Sequence, residues 1–542
     1  MAKRLKHCGW CREGGEEMGI YLNPGKDGFL YSVRSEIYVD KTKLISETNK
    51  RFGTEQRFLC VSRPRRFGKS MAAKMLVAYY EQGEDARELF MPYAIAKETS
   101  FQEHLNKYPV IALNMTEFYS VAKQVDAMLD MLQKYLRKEL LRAYPDIDYM
   151  DNNNLTLMLQ EVYMEKEIPF VFVIDEWDCI FREGQEDKKG QKTYLDFLRN
   201  LLKDRPYVGL AYMTGILPIK KYGTHSALNM FEEISMTRPG KFTENMGFTE
   251  EEVQKLCEKY HRDFDKTKQW YDGYLLEGKH IYNPKSVVDL MLNNKFESYW
   301  VSTETYEALK IYIDMNMDGL KEAVIFMLGG GTCQIDTQNF QNDMTTFESK
   351  EDVMSLLVHL GYLAYNGEAK AVFIPNHEIC EEYVRAMRDK KWSKVTEAIR
   401  ASDALLEATL QKKGSEVAKA IDKIHEENSS ILNYNNENAL SCTISIAYYS
   451  ARKDYEIIRE LPSGKGFADL VFLPRKESDK PALVIELKWN KTAKGAIDQI
   501  KEKNYTKAIQ EYVGRILMVG VNYDKGSKEH SCIIEEWEKY KK

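Results

Sequence analysis

The stretch Ser62–Ser70, with the sequence SRPRRFGKS, directly follows the apolar run Phe58–Val61. The apolar run favours a buried strand, and Gly-Lys-Ser favours the start of a helix, so a strand, a loop and a helix are predicted here. Backbone N–H groups and the helix dipole would then face an anion. Lys69 would reach terminal phosphates, and the Ser70 hydroxyl could bind Mg²⁺. The stretch therefore predicts a nucleoside triphosphate site.

One position departs from the usual phosphate-loop pattern, G-x-x-x-x-G-K-[ST], in which a glycine comes first. The chain has Arg63 there, and two more arginines follow. Guanidinium groups can neutralise phosphate charge where the missing glycine weakens the backbone cradle, so we expect one of the three arginines to contact nucleotide. The alternative is that they cover the outer surface of the loop. The predicted nucleotide-binding residues of the loop are Arg65, Arg66, Phe67, Gly68, Lys69 and Ser70.

A second signal is the apolar run Pro169–Ile174, which ends in Asp175 and Glu176. Beside a phosphate loop, the first carboxylate can orient Mg²⁺ through water and the second can polarise the attacking water. Taken alone, an apolar strand that ends in Asp-Glu is more simply interpreted as a solvated strand end. The upstream Gly-Lys-Ser favours the functional interpretation, with Asp178 as a spare candidate for either role.

A third apolar run, Val208–Thr214, is also typical of a buried strand. In ATPases with an additional strand, a polar residue at the end of that strand senses the terminal phosphate. Thr214 fits this role, and a threonine that only caps the strand is the alternative. We include Thr214 with Asp175 among the predicted nucleotide-binding residues.

Near the C-terminus, two apolar strands joined by a polar hairpin carry acidic residues. The first strand contains Asp469, and the second contains Glu486 and Lys488. A strand period of two places Glu486 and Lys488 on the same face, and with Asp469 opposite them two carboxylates and a lysine would converge. Carboxylates bind Mg²⁺, Mg²⁺ activates water, and the lysine can orient that water or stabilise the phosphorane. The alternative is a hairpin whose polar residues face solvent.

Length and composition limit the class of protein. At 542 residues and a net charge of −6, the chain is too long for one core, and it is not basic overall. A basic groove in one domain remains compatible with that charge. The nine cysteines are odd in number and mostly lie in apolar runs, which predicts reduced thiols and a cytoplasmic location. No apolar run approaches the roughly 20 residues of a membrane span, so we expect no membrane partner.

Six short motifs occur in an order that resembles the bacterial AAA-ATPase-like family, whose members commonly carry a C-terminal nuclease domain of the PD-(D/E)XK superfamily. The motifs are Tyr38–Thr42 (YVDKT), Ser62–Ser70, Val173–Asp178 (VIDEWD), Thr214–Ile216, Trp270–Tyr274 (WYDGY) and Ile281–Ser286 (IYNPKS). Members of this family usually carry a loop rich in arginine and phenylalanine, so the arginine at position 63 agrees with the family. We interpret WYDGY as a structural turn fixed by aromatic packing, with direct contact to nucleotide as the alternative.

The resemblance to the PD-(D/E)XK nuclease core covers about residues 430–542. It implies Asp469, Glu486, Lys488 and Gln499 as catalytic residues, with Gln499 as a supporting residue on the next helix. It also implies a metal site formed by Asp469, Glu486 and Glu437, the last from the first helix of the domain. For the ATPase part, the residues themselves predict Glu176 as the catalytic residue and Ser70 and Asp175 as the Mg²⁺ site. The first nuclease strand reads F-A-D where many relatives read G-R-x-D.

The predicted fold class is α/β. The predicted segments are a disordered extension (1–17), a P-loop NTPase core of AAA type with a parallel sheet (18–225), a helical lid (226–300), a small mixed α+β, winged-helix-like domain (301–389), a helical connector (390–428) and a PD-(D/E)XK mixed-sheet domain (429–542).

The predicted function is an ATP-binding and ATP-hydrolysing protein coupled to a Mg²⁺-dependent DNA endonuclease, for which the resemblance suggests mobile-element or defence biology. ATP and Mg²⁺ are the expected cofactors. Nucleic acid is the expected partner, DNA rather than RNA, and a homo-oligomer is left open. The main alternative is a nucleotide-switched regulatory or scaffold protein whose nuclease-like domain binds nucleic acid or protein without cutting. A third is a nucleotide-binding protein that hardly hydrolyses, against which Glu176 argues.

Overall fold

The computed structural model describes residues 19–219, 228–300, 305–314, 317–337, 347, 349–387, 393–428, 444, 447–463, 466–474, 479–502 and 514–537. The predicted extension 1–17 lies outside these residues. The chain divides into two compact units. The first unit comprises Met1–Trp300 with Gln334–Glu378, and the second comprises Val301–Cys333 with Ile379–Lys542. This division has fewer parts than the six predicted segments, and the boundaries of those segments stay predictions.

Sixteen strands and twenty α-helices lie in the described residues. The strands are β1 (Phe58–Ser62), β2 (Val110–Asn114), β3 (Phe170–Asp175), β4 (Val208–Gly215), β5 (Glu232–Ile234), β6 (Phe248–Thr249), β7 (Tyr274–Leu276), β8 (Lys279–Tyr282), β9 (Cys333–Gln334), β10 (Ala364–Asn366), β11 (Ala371–Phe373), β12 (Tyr455–Ser463), β13 (Gly466–Pro474), β14 (Ala482–Trp489), β15 (Ile516–Asp524) and β16 (Glu529–Trp537). The helices are α1 (Asp27–Val33), α2 (Lys43–Asn49), α3 (Lys69–Tyr80), α4 (Arg87–Phe90), α5 (Phe101–His104), α6 (Met115–Ala122), α7 (Val125–Ala143), α8 (Leu155–Lys166), α9 (Cys179–Glu183), α10 (Lys188–Leu202), α11 (Glu250–Tyr260), α12 (Phe264–Tyr271), α13 (Pro284–Asn293), α14 (Thr305–Asp314), α15 (Leu320–Leu328), α16 (Lys350–Leu360), α17 (His377–Ala386), α18 (Ser393–Leu410), α19 (Gly414–Asn428) and α20 (Ala493–Glu502).

A five-stranded parallel sheet forms the centre of the first unit, in the order β2-β3-β4-β1-β5. Every residue of β1, β3 and β4 is buried, which explains why these strands read as continuous apolar runs. Helix α3 packs its apolar side chains against this sheet, with Leu76 in the same core cluster as Val61 and Val173. Burial of each such side chain contributes about 1.5–3 kcal/mol.

Strand β4 lies between β1 and β3, so the sheet has an additional strand between the one that leads into the loop and the one that ends in Asp175. All four pairings in this sheet are parallel, and their carboxyl ends therefore meet at one edge, where ligands bind in open α/β sheets. The arrangement confirms the predicted P-loop NTPase core of the AAA type.

The WYDGY turn lies between α12 and β7 in the first unit. Gly273 has φ +116°, and a Cβ atom there would lie 2.0 Å from the carbonyl oxygen of Pro375. No side chain fits in that space. Trp270 packs edge-on against His377, with ring centroids 4.4 Å apart. Residues 350–373 form a helix, a turn and a hairpin, as α16, β10 and β11.

A mixed five-stranded sheet, in the order β12-β13-β14-β15-β16, forms the centre of the second unit. Strands β14 and β15 pair in parallel and the other neighbours are antiparallel. Helix α20 covers one face, where Ile497 and Ile500 pack with Val484 and Met518. At Gly520, a Cβ atom would lie 2.4 Å from the carbonyl oxygen of Ala493, so only glycine permits this close approach. The mixed sheet confirms the predicted PD-(D/E)XK architecture.

Among the helices of these described ranges, none combines the length and apolar character that crossing a membrane requires.

Candidate functional site

The phosphate loop leaves β1 and enters α3 at Gly68. This residue has φ +90°, a left-handed conformation that glycine adopts without steric cost, and the helix begins at the next residue. The backbone N–H groups at the start of α3 have no partner within the helix, as at any helix start. The structure therefore places Lys69 and Ser70 in the first turn, as the sequence predicts for an anion site, and the Ser70 side chain is exposed.

Lys69 closes the loop from the inside. Its side chain crosses to the start of the loop, where Nζ donates to the carbonyl oxygens of Arg63 and Pro64, each at 2.9 Å. Lys69 is buried, and burial lowers its pKa, whereas the carboxylates of Glu176, Asp178 and Asp175 act in the opposite direction. The charge of the loop lysine therefore interacts with Asp175, at the end of β3, and with the two acidic residues that follow this strand.

The three loop arginines lie in different environments. Arg63 is fully buried, its Nη1 donates to the carbonyl oxygens of Ser62 at 3.0 Å and Ile234 at 3.3 Å, and burial lowers its pKa to about 10. Arg66 donates to the carbonyl oxygens of Tyr299 at 2.7 Å and Trp300 at 3.2 Å. Arg65 is exposed. The alternative that the arginines cover the outer surface of the loop is therefore wrong for Arg63, whose side chain lies in the interior. Which arginine contacts nucleotide stays a prediction.

Phe67 is buried in the first unit. Its ring packs edge-on against Tyr274 with centroids 5.3 Å apart, and its carbonyl oxygen accepts a hydrogen bond from Gly247 N at 3.1 Å. The structure thus places the Phe67 side chain among packing contacts. The nucleotide contact expected of this residue stays a prediction, and its backbone remains part of the loop.

Asp175 and Thr214 come together from neighbouring strands. The Thr214 hydroxyl donates to Asp175 Oδ1, which also accepts from Glu176 N at 3.1 Å. Asp175 Oδ2 has no hydrogen-bond partner within the part of the chain that the structure describes. A carboxylate oxygen and the exposed Ser70 hydroxyl are hard oxygen donors of the kind that Mg²⁺ prefers, so the donor set fits this ion.

Glu176 follows β3 in a left-handed conformation, with φ +54°. Non-glycine residues rarely adopt this region, and where they do the residue often has a functional role. Arg182 Nη2 donates to Glu176 Oε2. Burial raises the pKa of Glu176, while the positive charges of Arg182 and Lys69 counteract that shift.

Asp178 has a structural role in this arrangement. It is fully buried, and its Oδ2 accepts backbone hydrogen bonds from Ile216 at 2.9 Å and Leu217 at 2.8 Å. The same oxygen lies 3.3 Å from Arg182 Nε. Arg182 was not among the residues predicted from the sequence. Its spacing of four residues from Asp178 was the available signal, because side chains at i and i+4 are neighbours on a helix.

The second unit contains a separate polar cluster on β14. Glu486 and Lys488 are buried, and Glu486 Oε1 accepts hydrogen bonds from Lys488 Nζ at 3.0 Å and from Gln499 Nε2. Three predicted catalytic residues are thus in contact, which excludes a hairpin whose polar residues simply face solvent. Helix α20 places Gln499 over the strand.

Asp469 lies on β13, the strand next to Glu486. The register between the two strands pairs Leu470 with Ile485, and these residues directly adjoin Asp469 and Glu486. The side chain of Asp469 and all of Glu437 lie outside the described part of the chain. Within that part, no group of three or more His, Cys, Asp or Glu side chains is arranged to hold a metal. Among the three predicted metal ligands, Glu486 is therefore the one whose side chain the structure describes. Carboxylate oxygens such as those of Glu486 are ligands that Mg²⁺ prefers.

Two family models match the chain. The model described as Predicted AAA-ATPase matches residues 32–224, and the model of the PD-(D/E)XK nuclease superfamily matches residues 435–537. These ranges contain, respectively, the loop with Asp175 and Thr214, and the cluster of Glu486 with Lys488.

A curated relative, the "Uncharacterized protein in vnfD 5'region" of Azotobacter chroococcum mcd 1, is 24% identical over 279 residues. The match covers 49% of this chain and 51% of the relative, so the chain spans about half the length of the curated relative it matches.

Two solved structures from Aeropyrum pernix are similar at a distance. The ORC2 protein in ADPNP-ADP complexes matches with 10% identity and a TM-score of 0.29, over 65% of this chain and 96% of that one. The ORC1 protein in complex with DNA matches with 11% identity and a TM-score of 0.21, over 84% of this chain and 94% of that one.

The family-model matches agree with the two sheets and with both polar clusters. Residues 32–224 therefore match a predicted AAA-ATPase domain, and residues 435–537 match a domain of the PD-(D/E)XK nuclease superfamily.

Proposed function

We propose that the first unit binds and hydrolyses ATP. The observation that carries this proposal is the position of Lys69, which is fixed across the phosphate loop and lies within electrostatic reach of Asp175 and Glu176. A lysine on a phosphate loop with two carboxylates at the end of a nearby strand supports both nucleotide binding and water activation.

Each residue has a distinct role in this proposal. Lys69 and the N–H groups at the start of α3 bind phosphate oxygens, and Ser70 and Asp175 would hold Mg²⁺, which neutralises phosphate charge when bound. Thr214 holds Asp175 in place. Glu176 accepts the proton of the attacking water. The water oxygen forms a bond to the terminal phosphorus, and the bond from that phosphorus to the bridging oxygen of the leaving ADP breaks.

We propose further that the second unit hydrolyses phosphodiester bonds of nucleic acid. The contact of Lys488 and Gln499 with the buried Glu486 carboxylate supports this role. Glu486, with Asp469 and Glu437, would hold Mg²⁺, which supplies an electrophile and activates water when bound. Lys488 orients the water or stabilises charge on the phosphorane, and Gln499 fixes the carboxylate.

We also propose that nucleotide state controls cleavage, that DNA rather than RNA is the substrate, and that the protein acts in the cytoplasm in mobile-element or defence biology. The presence of both domains in one chain supports the coupling. The described cysteines are free thiols, which supports a reducing compartment.

The ATPase proposal is tested by Lys69→Ala, with Lys74→Ala as the matched control, because Lys74 is exposed on the same helix. We expect Lys69→Ala to weaken ATP affinity at least about tenfold, since a charged contact contributes roughly 1.5–3 kcal/mol. The control should bind ATP like the wild type. Equal affinities for both variants and the wild type would contradict the phosphate-loop assignment.

The nuclease proposal is tested by Glu486→Ala, with Glu502→Ala as the control, because Glu502 is exposed at the end of α20. We expect the first variant to lose Mg²⁺-dependent plasmid nicking while it keeps ATP binding, and the control to nick normally. If the wild type binds DNA without metal-dependent nicking, the regulatory or scaffold alternative is correct.

A further inference from the structure

Arg182 connects the carboxylate proposed as the base to a buried carboxylate. Its Nη2 donates to Glu176 Oε2, and its Nε lies 3.3 Å from Asp178 Oδ2. The Asp178 carboxylate is itself fixed, because it accepts the backbone N–H groups of Ile216 and Leu217 just after β4. The direction of the Glu176 side chain therefore depends on a series of contacts that ends at the backbone beyond Thr214.

The two oxygens of the Glu176 carboxylate differ in their surroundings. Oε2 is bound by Arg182, whereas Oε1 makes no hydrogen bond to any residue that the structure describes. The side chain is 24% exposed, and Oε1 does not belong to the buried oxygens without a partner, so this oxygen is accessible to water. Arg182 thus holds one oxygen of the carboxylate, and the other oxygen is accessible. A base needs this arrangement to accept a proton along a fixed direction.

We infer that Arg182 is a positioning residue for ATP hydrolysis, which holds Glu176 through Oε2 so that Oε1 is directed at the attacking water. This inference rests on the ATP hydrolysis proposed above. The planar guanidinium suits this role because it donates to Glu176 through Nη2 while its Nε lies 3.3 Å from Asp178 as an ion pair, whereas a lysine ammonium is a single point charge. Removal of Arg182 should therefore affect turnover more than nucleotide binding.

The first experiment compares kcat and KM for ATP in the wild type, Arg182→Ala and Arg182→Lys. General base catalysis contributes about 10²–10⁴-fold, and loss of its orientation should cost a part of that. We expect kcat to fall about 10- to 100-fold in Arg182→Ala, with KM within about twofold, and Arg182→Lys to lie between it and the wild type.

Arg51→Ala is the matched control. Arg51 is also a buried arginine that bridges two carboxylates, with Glu47 and Glu232 each 3.1 Å away. It has no contact with Glu176 in the described residues. A general loss of structure would lower the activity of both variants, whereas a positioning role lowers kcat only in Arg182→Ala.

A double-mutant cycle with Glu176→Gln separates the two residues' roles. Once the base is absent, its orientation no longer matters, so adding Arg182→Ala to Glu176→Gln should change kcat by less than about twofold. Millimolar guanidinium ion should restore part of kcat in Arg182→Ala and none in Glu176→Gln. Multiplicative losses in the cycle, or equal kcat in Arg182→Ala and the wild type, would overturn the inference.

The removal of Arg182 leaves Asp178 as a buried charge without its cation, which destabilises a protein. If Arg182→Ala does not fold, Arg182→Lys carries the test, because it keeps a positive charge beside Asp178 and should still show reduced kcat at unchanged KM. If the wild type binds ATP and releases no phosphate, the proposed hydrolysis and the role of Arg182 both fail. If the wild type hydrolyses ATP and the cycle is multiplicative, only the role of Arg182 fails.

Discussion

The hydroxyl of Thr214 donates a hydrogen bond to the carboxylate of Asp175, which joins the ends of two neighbouring parallel strands. Thr214 is fully buried and Asp175 is 8% exposed, so water cannot easily replace this contact. The contact fixes one oxygen of the carboxylate that we propose as part of the Mg²⁺ site.

The Thr214→Val substitution should test this contact. It keeps the shape of the side chain but removes the donor, so that Asp175 Oδ1 keeps only the bond from Glu176 N, and a hydrogen bond to a charged group contributes about 1.5–3 kcal/mol. We expect the free energy of unfolding, measured with urea, to fall by that amount and ATP turnover to fall with it. Thr214→Ser keeps the hydroxyl and should retain most of both. Wild-type stability and turnover in Thr214→Val would show that the hydrogen bond is unimportant.

Gly68→Ala should strain the phosphate loop. The position has φ +90°, and a Cβ atom there would meet no other atom within 4 Å, so the cost is conformational rather than a clash. A left-handed alanine costs about 1–2 kcal/mol, and relaxation of the loop would turn its N–H groups away from the phosphates. We expect lower stability and weaker ATP binding, measured by calorimetry.

Gly367→Ala is the control for this substitution, because Gly367 has no positive φ and a Cβ atom there would meet only Tyr365 at 3.9 Å. It should leave ATP binding unchanged. An identical ATP affinity in Gly68→Ala would contradict a role of the loop backbone in phosphate binding.

Lys488→Met should destabilise the second unit. Glu486 is 2% exposed, and removal of the cation 3.0 Å away leaves a buried carboxylate with less compensation. Breaking a buried ion pair in this way costs about 3–5 kcal/mol. Glu486→Gln combined with Lys488→Met removes both charges and should recover most of the loss in chemical denaturation. A double variant that is as unstable as the sum of the single ones would show that the two residues do not interact.

His359 should make the stability of the first unit dependent on pH. Burial and the charge of Arg63 lower its pKa from 6.5 to about 3. The unfolded chain therefore binds a proton below about pH 6.5 that the folded chain does not. The free energy of unfolding is therefore unaffected by His359 above that pH. As the pH falls below it, this free energy decreases by up to about 1.4 kcal/mol per pH unit.

The measurement for His359 is urea unfolding between pH 5 and pH 7. We expect the free energy of unfolding of His359→Gln to change less steeply with pH than that of the wild type, by the equivalent of about one bound proton. His261→Asn should keep the slope of the wild type, since His261 is exposed. Equal slopes for the wild type and His359→Gln would mean that the native histidine protonates normally.

Much of the fold could be predicted because its elements are marked by local patterns. The apolar runs before Ser62 and Asp175 are strands that are buried on both faces, and Gly-Lys-Ser marks the start of α3 where only glycine suits the backbone. The same patterns located Lys69, Asp175 and Thr214, which the structure brings to one edge of the sheet.

The direction of individual side chains could not be predicted in this way. Arg63 donates to the carbonyl oxygen of Ile234, which is 171 residues away in the chain, so no local spacing reveals that it turns inward. Phe67 likewise packs on Tyr274. Glu176, which accepts from Arg182, has a left-handed backbone conformation, and sequence patterns for strands and helices do not encode such a conformation.

Tyr274 has a mechanical consequence for the first unit. Its ring packs against Phe67 of the phosphate loop, and its hydroxyl donates to the carbonyl oxygen of Gly361 at 2.6 Å. Next to it, Gly273 and Pro375 approach too closely for any side chain. We therefore expect a displacement of the phosphate loop to shift the WYDGY turn and the β10–β11 hairpin in the same direction.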